Sequence, residues 1–291
     1  MSYTADNLLS SIERRSFAPA SQSTFESDEI LAIADEVNLS VIMPNILTVR
    51  EEYFVFKKDY SITASQAEYV IPPRALGGSL RDVQIIDDNG TIRSLPRIEP
   101  DDQVSTAVGT LYGYYLRDDK VVLHRTPSST SGTLRLSFFL QPGSLVLASA
   151  GAVISAINTS TNVVSVTTIP STWVTGNTFD FISGKGSHAY RDIDKVSTLV
   201  SGTDITFSSL PSDLAVGDYI NLAEQSSLVQ LPSPYRAVLA QTVAAEMLAS
   251  MNQPSAANAD KKAKALMDSA LGLITPRVRG DVRVITSNQW F

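Results

Sequence analysis

Val164-Ser165-Val166-Thr167-Thr168-Ile169-Pro170-Ser171-Thr172-Trp173-Val174-Thr175-Gly176-Asn177-Thr178-Phe179-Asp180-Phe181 returns 41 residues later as Ile205-Thr206-Phe207-Ser208-Ser209-Leu210-Pro211-Ser212-Asp213-Leu214-Ala215-Val216-Gly217-Asp218-Tyr219-Ile220-Asn221-Leu222. Nine positions keep their character without a gap: Val164, Val166, Ile169, Pro170, Ser171, Trp173, Gly176, Phe179 and Phe181 map onto Ile205, Phe207, Leu210, Pro211, Ser212, Leu214, Gly217, Ile220 and Leu222. Each copy reads strand, Pro-Ser turn, Gly turn, strand, so residues 148–230 contain two similar hairpins that face each other in one small barrel or sandwich. The spacing lies in the range of propeller blades, but two copies are too few to close a propeller.

Working outward, residues 57–147 keep a period of two. Val83-Gln84-Ile85-Ile86 and Thr91-Ile92-Arg93 flank Asp87-Asp88-Asn89-Gly90, and Asn-Gly is a strong two-residue hairpin signal because both positions tolerate positive φ. Leu134, Leu136, Phe138 and Leu140 alternate with Arg135, Ser137, Phe139 and Gln141, and Arg117-Asp118-Asp119-Lys120 marks a further turn. These are antiparallel strands.

At both ends the period becomes helical. Leu8, Leu9 and Ile12 follow Thr4 as an N-cap; Ser27 caps a longer helix with Asp28 and Glu29 in its first turn, and Pro44 should kink or end it. Ser233-Pro234 opens a helix whose stripe is Leu239, Val243, Met247 and Met251. After Asn252-Gln253-Pro254 a second helix carries Ala259, Ala263, Leu266, Met267, Ala270, Leu271 and Ile274 opposite Lys261, Lys262, Lys264 and Asp268. Single apolar stripes at both ends are buried most economically against one another. The expected class is therefore α+β: a helical core formed by the N- and C-terminal helices, with an antiparallel β-rich insertion and an extended C-terminal arm. The expected segments are 1–56, 57–147, 148–230, 231–275 and the arm, 276–291.

That arm alternates Val278, Val282 and Val284 with Arg277, Arg279, Asp281 and Arg283 and finishes on Trp290 and Phe291. With no adjacent strand to pair with, it reads as a docking segment whose Val face is buried, whose arginines meet acidic groups and whose terminal aromatics anchor. Pairing with a distant strand of its own chain is the competing reading.

Charge and composition exclude several functions. The chain has 23 Lys/Arg against 30 Asp/Glu among 291 residues, a net charge of −7, which opposes wrapping nucleic acid by phosphate neutralisation. From Leu231 onward 7 bases meet 4 acids, +3, which leaves −10 on the first 230 residues: a basic end on an acidic body. No cysteine is present, so thiolate nucleophiles, disulfides and zinc-thiolate sites are out. The start has neither a basic n-region nor an apolar h-region, and no apolar run approaches membrane length, so neither a signal peptide nor a span is expected.

Catalytic constellations are scarce. His124 and His188 are the only histidines, and Gly77-Gly78-Ser79-Leu80-Arg81 lacks the closing glycine of a nucleophile elbow. Ser183-Gly184-Lys185-Gly186-Ser187 lacks the phosphate-loop spacing and reads as a flexible hairpin tip. His188, Asp192 and Asp194 have metal-ligand chemistry but read as a solvated loop. Asp101-Asp102 and Glu51-Glu52 are sequence neighbours, which a strand would turn to opposite faces. No enzyme, metal or cofactor is expected.

Val49-Arg50-Glu51-Glu52-Tyr53-Phe54, then Tyr69-Val70-Ile71-Pro72-Pro73-Arg74-Ala75-Leu76-Gly77-Gly78-Ser79-Leu80-Arg81-Asp82-Val83, with Gly132-Thr133-Leu134-Arg135-Leu136, Val216-Gly217-Asp218-Tyr219 and Leu273-Ile274-Thr275-Pro276-Arg277-Val278, resembles the head-to-tail adaptor (connector) proteins of tailed bacteriophages. The likeness covers most of the chain. It implies a structural virion protein at the head-tail junction, assembled in the host cytoplasm as a ring of about twelve copies, a dodecamer closed by rotational symmetry. Its partners would be the portal protein and a tail nozzle or tail tube protein. Genomic DNA would only pass through the channel, past acidic walls that repel phosphates. The arm residues Arg277, Val278, Arg279, Val282, Arg283, Val284, Trp290 and Phe291 would bind the portal or a neighbouring copy. Two further classes stay open: a β-rich carbohydrate- or receptor-binding virion module with Trp173 and Tyr190 as stacking residues, and a cell-wall hydrolase with two facing carboxylates in a cleft.

Overall fold

The computed structural model describes residues 2–16, 25–50, 52–99, 108–109 and 111–275. The chain forms two compact units, residues 51–142 and residues 1–50 with 143 onward. The fold mixes helix and sheet, as the two periodicities require. The arm, 276–291, lies outside the described residues, as do Glu51, Asp101 and Asp102.

Three helical pieces open the chain: α1 (Ala5–Ser16), α2 (Ser27–Val37) and α3 (Met43–Leu47). Thr4 Oγ1 accepts from Asn7 N at 3.3 Å, so the cap at Thr4 forms. The second cap sits one residue earlier than expected. Glu26 and Glu29 make a reciprocal capping box, because a carboxylate reaches back to the orphan N–H groups as a hydroxyl would. Nor does Pro44 break the helix. A π turn over Asn38–Ile42 widens the ladder just before it, and Pro44 then occupies the first turn of α3, where a missing N–H costs little. The Ser27–Leu47 stretch is long and apolar enough to cross a membrane by length and composition alone; here Ile30, Leu31, Ala34, Val37, Ile42, Met43 and Ile46 are buried within the protein.

The 51–142 unit holds β1 (Val55–Ser61), β2 (Glu68–Val70), β3 (Ala75–Ile86), β4 (Ile92–Ser94), β5 (Gly113–Arg117), β6 (Lys120–His124) and β7 (Thr133–Leu140). They form two antiparallel sheets, in the orders β1-β7-β3-β4 and β2-β6-β5. Leu134, Leu136, Phe138 and Leu140 all point inward, as their alternation requires. At the β3–β4 turn Asp87 N donates to Thr91 O and Gly90 has φ +79°, which makes a three-residue loop with a left-handed glycine, not the expected two-residue turn. Asp87 Oδ1 favours the longer loop by accepting from Asn89 N and Thr91 N.

The other unit continues with β8 (Ser144–Leu145), β9 (Ala152–Asn158), β10 (Val163–Val166), β11 (Thr178–Ile182), β12 (Tyr190–Ser201), β13 (Asp204–Phe207), β14 (Tyr219–Leu222) and β15 (Gln225–Ser226), then α4 (Ser233–Ser250) and α5 (Ala256–Ile274). Short β8 and β15 pair in parallel, and β9 to β14 close a six-stranded barrel in the order β10-β13-β12-β11-β14-β9. The two repeats meet across a pseudo-two-fold axis. At one junction Val164 pairs with Ile205, its own equivalent, while Val163 pairs with Thr206 and Ser165 with Asp204. At the other, Asp180 pairs with its equivalent Asn221, flanked by Phe179–Leu222 and Phe181–Ile220. The two strands of each 41-residue copy, β10 with β11 and β13 with β14, are therefore not the expected hairpins: each pairs with its counterpart in the other copy, and the Pro-Ser segment between them crosses the barrel end. Each repeat presents the same two strand edges to its twin, and closure leaves the ladder with no free edge.

The equivalence extends to single bonds. Ile154 N donates to Asp218 O at 2.8 Å, and Ser197 N to Asn177 O at 2.9 Å; Val166 N donates to Thr203 O, and Phe207 N to Asn162 O. Ser155 and Thr198 are the extra residues of matching β-bulges, and each hydroxyl donates to the carbonyl of the facing strand, Ser165 O and Thr206 O. In these first strands the spacing is 43, because the loop between the paired residues Asn158 and Val163 is two residues longer than that between Ser201 and Asp204.

Ile154, Val164, Phe179, Phe181, Ile205, Phe207 and Ile220 fill the barrel, with Trp173 edge-on to Phe179 at 4.9 Å and Phe207 to Phe181 at 5.1 Å. Such aromatic pairs add about 0.5–1.5 kcal/mol each beyond their burial.

Beside the barrel, α4 packs against α1, α2 and α5. Its apolar surface is broader than the single stripe expected: ten of eighteen residues are buried, because Ala240, Ala244 and Ala245 let neighbouring helices close on sides that carry no large apolar residue. Its N-cap is Pro232, one residue before the expected Ser233. On α5 the buried positions are Ala263, Ala270 and Ile274, and Lys261, Lys262, Lys264 and Asp268 are exposed, in keeping with the periodicity.

Two glycines of the β11–β12 connection test this packing. A Cβ at Gly184 would drive into the Gly217 carbonyl oxygen, whereas one at Gly186 meets open space at φ +65°. Gly184→Ala is expected to cost about 3 kcal/mol by overpacking and Gly186→Ala about 1 kcal/mol by left-handed strain, both measured by urea unfolding.

Candidate functional site: the amino-terminal seam and an outward apolar strip

Residues 183–189 join β11 to β12, and far from being a loose tip they are gripped on every side. Asp218 Oδ1 accepts from Gly184 N at 2.9 Å and Oδ2 from Ala215 N at 3.0 Å; Arg191 bridges Asp218 (3.2 Å), Asp213 (2.8 Å) and Ser183 Oγ (3.3 Å). Asn177 is the equivalent of Asp218 in the first repeat, and it accepts from Val174 N in the same way. The carboxylate in the second copy is therefore a turn-forming group that recruits Arg191 in addition.

The tip carries His188, which is 1% exposed at φ +59°. Its Nε2 faces the backbone N–H of Tyr3 at 3.2 Å and its Nδ1 faces Ser183 O at 3.0 Å. Those partners fix the neutral tautomer with the proton on Nδ1, since Nε2 must accept. Burial, with the Arg236 charge nearby, holds the imidazole below its ordinary range, although the Ser183 carbonyl pulls the other way. Around it the N-terminal residues are stitched on: Ala5 N donates to Ser227 O, Val229 N to Tyr3 O and Ala148 N to Asp6 Oδ2. Gln230 Nε2 donates to the His188 carbonyl, and Arg236 Nη2 donates to Gly186 O at 2.8 Å. This seam fastens the barrel to α1 and α4.

The sequence candidates fall differently. Trp173 is 4% exposed inside the barrel, so it offers no face to a sugar, and the hydroxyl of half-buried Tyr190 accepts from Gly143 N at 2.6 Å. Both ring nitrogens of His188 are engaged, and Asp192 pairs with Lys195 at 3.0 Å. Among the described residues no group of three potential metal ligands gathers. His124 is buried on Tyr112 OH at 2.8 Å. The candidate arm residues Arg277, Val278, Arg279, Val282, Arg283, Val284, Trp290 and Phe291 lie outside the described residues.

A surface the sequence left unmarked is the outer face of β12. Val196 and Leu199 stand outward at 54% and 53% exposure, and Val174, at 57%, sits in the turn bonded to that strand by Gly176 N to Ser197 O and Val200 N to Thr175 Oγ1. The equivalent outward positions of β9 are half-buried Val153 and exposed Ala156. On that side exposed Val216 stands in the turn bonded to β9, so duplication left the β12 side with the larger exposed apolar strip, and contiguous exposed apolar residues mark interaction surfaces.

No protein-family model matches the chain, and no curated protein matches it.

The seam has a pH signature. A His held below its unfolded value of 6.5 contributes stability that is intact above pH 6.5 and is lost as pH falls through and below it. Asp35, which accepts from Leu145 N, acts oppositely: burial raises it to about 6, so acidification through that value relieves a buried charge. In urea titrations between pH 7.5 and 5, His188→Asn should be less stable than wild type at pH 7.5 and should lose less, or gain, on acidification. Parallel pH curves for the two proteins would contradict the role of His188.

Proposed function

We propose that the chain is a structural subunit of the head-to-tail junction of a tailed bacteriophage, an adaptor that closes into a ring of about twelve copies between portal and tail and lets DNA pass. The observation that carries the reading is the outward strip of Val174, Val196 and Leu199, on a barrel whose own edges are all satisfied. A domain with no free strand edge has to assemble through side chains, and Val174, Val196 and Leu199 are three of the four large apolar ones the barrel exposes among the described residues, the fourth being Val216. The resemblance of residues 69–83 and of the other quoted segments to adaptors gives the class. In this reading the helices of both chain ends form the body, each strip packs on a neighbouring copy, and the arm from Pro276 to Phe291 docks on the portal through its Val face and terminal aromatics. The acidic excess of 30 over 23 suits a lumen that must not hold DNA. Buried ionisable groups such as Asp218 and His188 are engaged in turns and seams, which favours a scaffold over a catalyst.

Native mass spectrometry over a concentration series tests it. The wild-type chain should form a closed oligomer, and the double variant Val196→Asp, Leu199→Asp should lower the assembly to monomers with an unchanged far-UV circular dichroism spectrum. A wild type that stays monomeric at high concentration with portal protein present, or an assembly indifferent to both substitutions, would overturn the reading.

A further inference from the structure

Between the start of α1 and the first turn of α4 lies a groove of about 290 Å³ lined by Ser2, Tyr3, Asn7, Ser11, Arg14 and Arg236. Two guanidinium groups line it and no carboxylate does. Arg236 is held in place. Its Nη2 donates to Gly186 O, and its guanidinium lies over the Tyr3 ring, 5.2 Å from the centroid. Its Nε, however, is buried without a hydrogen-bond partner, and Nη1 makes no bond within the described residues. Among the described residues Arg14 is tied only by Nε to Ser10 O of its own helix. Neither arginine forms an ion pair among the described residues, although Glu68, Asp59, Asp213, Asp218, Asp192 and Asp260 all do.

Arg236 Nη1 and the Arg14 Nη groups are left without acceptors or a counter-charge among the described residues, and an oxyanion between the two arginines supplies both. We infer that this groove binds a carboxylate presented by a peptide segment of another protein molecule, with Arg14 and Arg236 each donating to one oxygen. Phosphate shares that chemistry, but its polymeric source, nucleic acid, is repelled by the net charge of −7 far more strongly than an isolated carboxylate is. The assignment stands on the groove alone and does not depend on the head-to-tail reading.

The test measures melting temperature against added sodium acetate, with acetamide and inorganic phosphate as the other arms, at pH 7.5 and constant ionic strength set with chloride. Wild-type melting should rise with the logarithm of acetate concentration and not with acetamide. Arg14→Gln, which gives up only the bond to Ser10, should abolish the rise. Ser11→Asp, which places a carboxylate in the groove, should raise melting without added anion and be insensitive to acetate. Equal acetate responses in wild type and Arg14→Gln, with no gain from Ser11→Asp, would overturn the site; an Arg14-dependent response to phosphate that exceeds that to acetate would overturn the choice of carboxylate.

Discussion

The register in which the two repeats pair is the constraint on which the larger unit depends. Val164 against Ile205 and Asp180 against Asn221 put equivalent residues opposite each other at both junctions, so the pseudo-two-fold axis passes through the barrel and its strands close without an edge. A slip of one residue at the β11–β14 junction would set the inward faces of Phe179 and Phe181 against those of Ile220 and Leu222, and a slip at the β10–β13 junction would do the same to Val164 and Ile205, breaking the shared core in either case. Closure also sets where the connection after β11 emerges, and that connection carries His188 to the backbone of Tyr3 and Gly186 to Arg236. The N-terminal helix and α4 are thus attached to the barrel through a loop whose position the repeat pairing dictates. Each of those hydrogen bonds contributes about 1 kcal/mol net, and more is lost when one buried partner is left unmade.

Where the repeats differ is as informative as where they agree. Inside, the equivalent positions stay apolar; at the turns, Asn177 and Asp218 do one job with an amide and a carboxylate. Outside they diverge: Ala156 corresponds to Leu199, and Val153 is half-buried where its counterpart Val196 is exposed. Core and turn chemistry are constrained by closure, whereas the outer faces are free to specialise, and the β12 side carries the larger apolar strip.

Part of this was legible in the residues. The 41-residue repeat marked a duplicated unit that closes a small barrel, although its two strands cross to the twin copy and do not form the expected hairpins; the alternation through Leu134 to Leu140 marked a strand, and the stripe through Ala263, Ala270 and Ile274 the inner face of α5. The first strand of each repeat escaped notice because a loop shorter by two residues shifts its spacing to 43, which a search at a fixed period does not register. The capping box at Glu26, the three-residue loop at Asp87 and the broad burial of α4 escaped because each depends on side-chain reach or neighbour size, not on periodicity. His188 looked like a metal ligand or a solvated residue because nothing local announces a partner 185 positions away in sequence. The Val174, Val196 and Leu199 strip is invisible for a different reason: a bulge at Thr198, which strict alternation does not foresee, is what brings Leu199 to the outer face.

If the seam joins barrel and helices into one cooperative unit, native-state hydrogen exchange reports it most directly. The account predicts that the slowest amides of the barrel, such as Val166 and Phe207, and those in the middle of α4 open with the same free energy and the same denaturant dependence. Barrel amides that stay protected while α4 exchanges by a separate, lower-energy opening would contradict it.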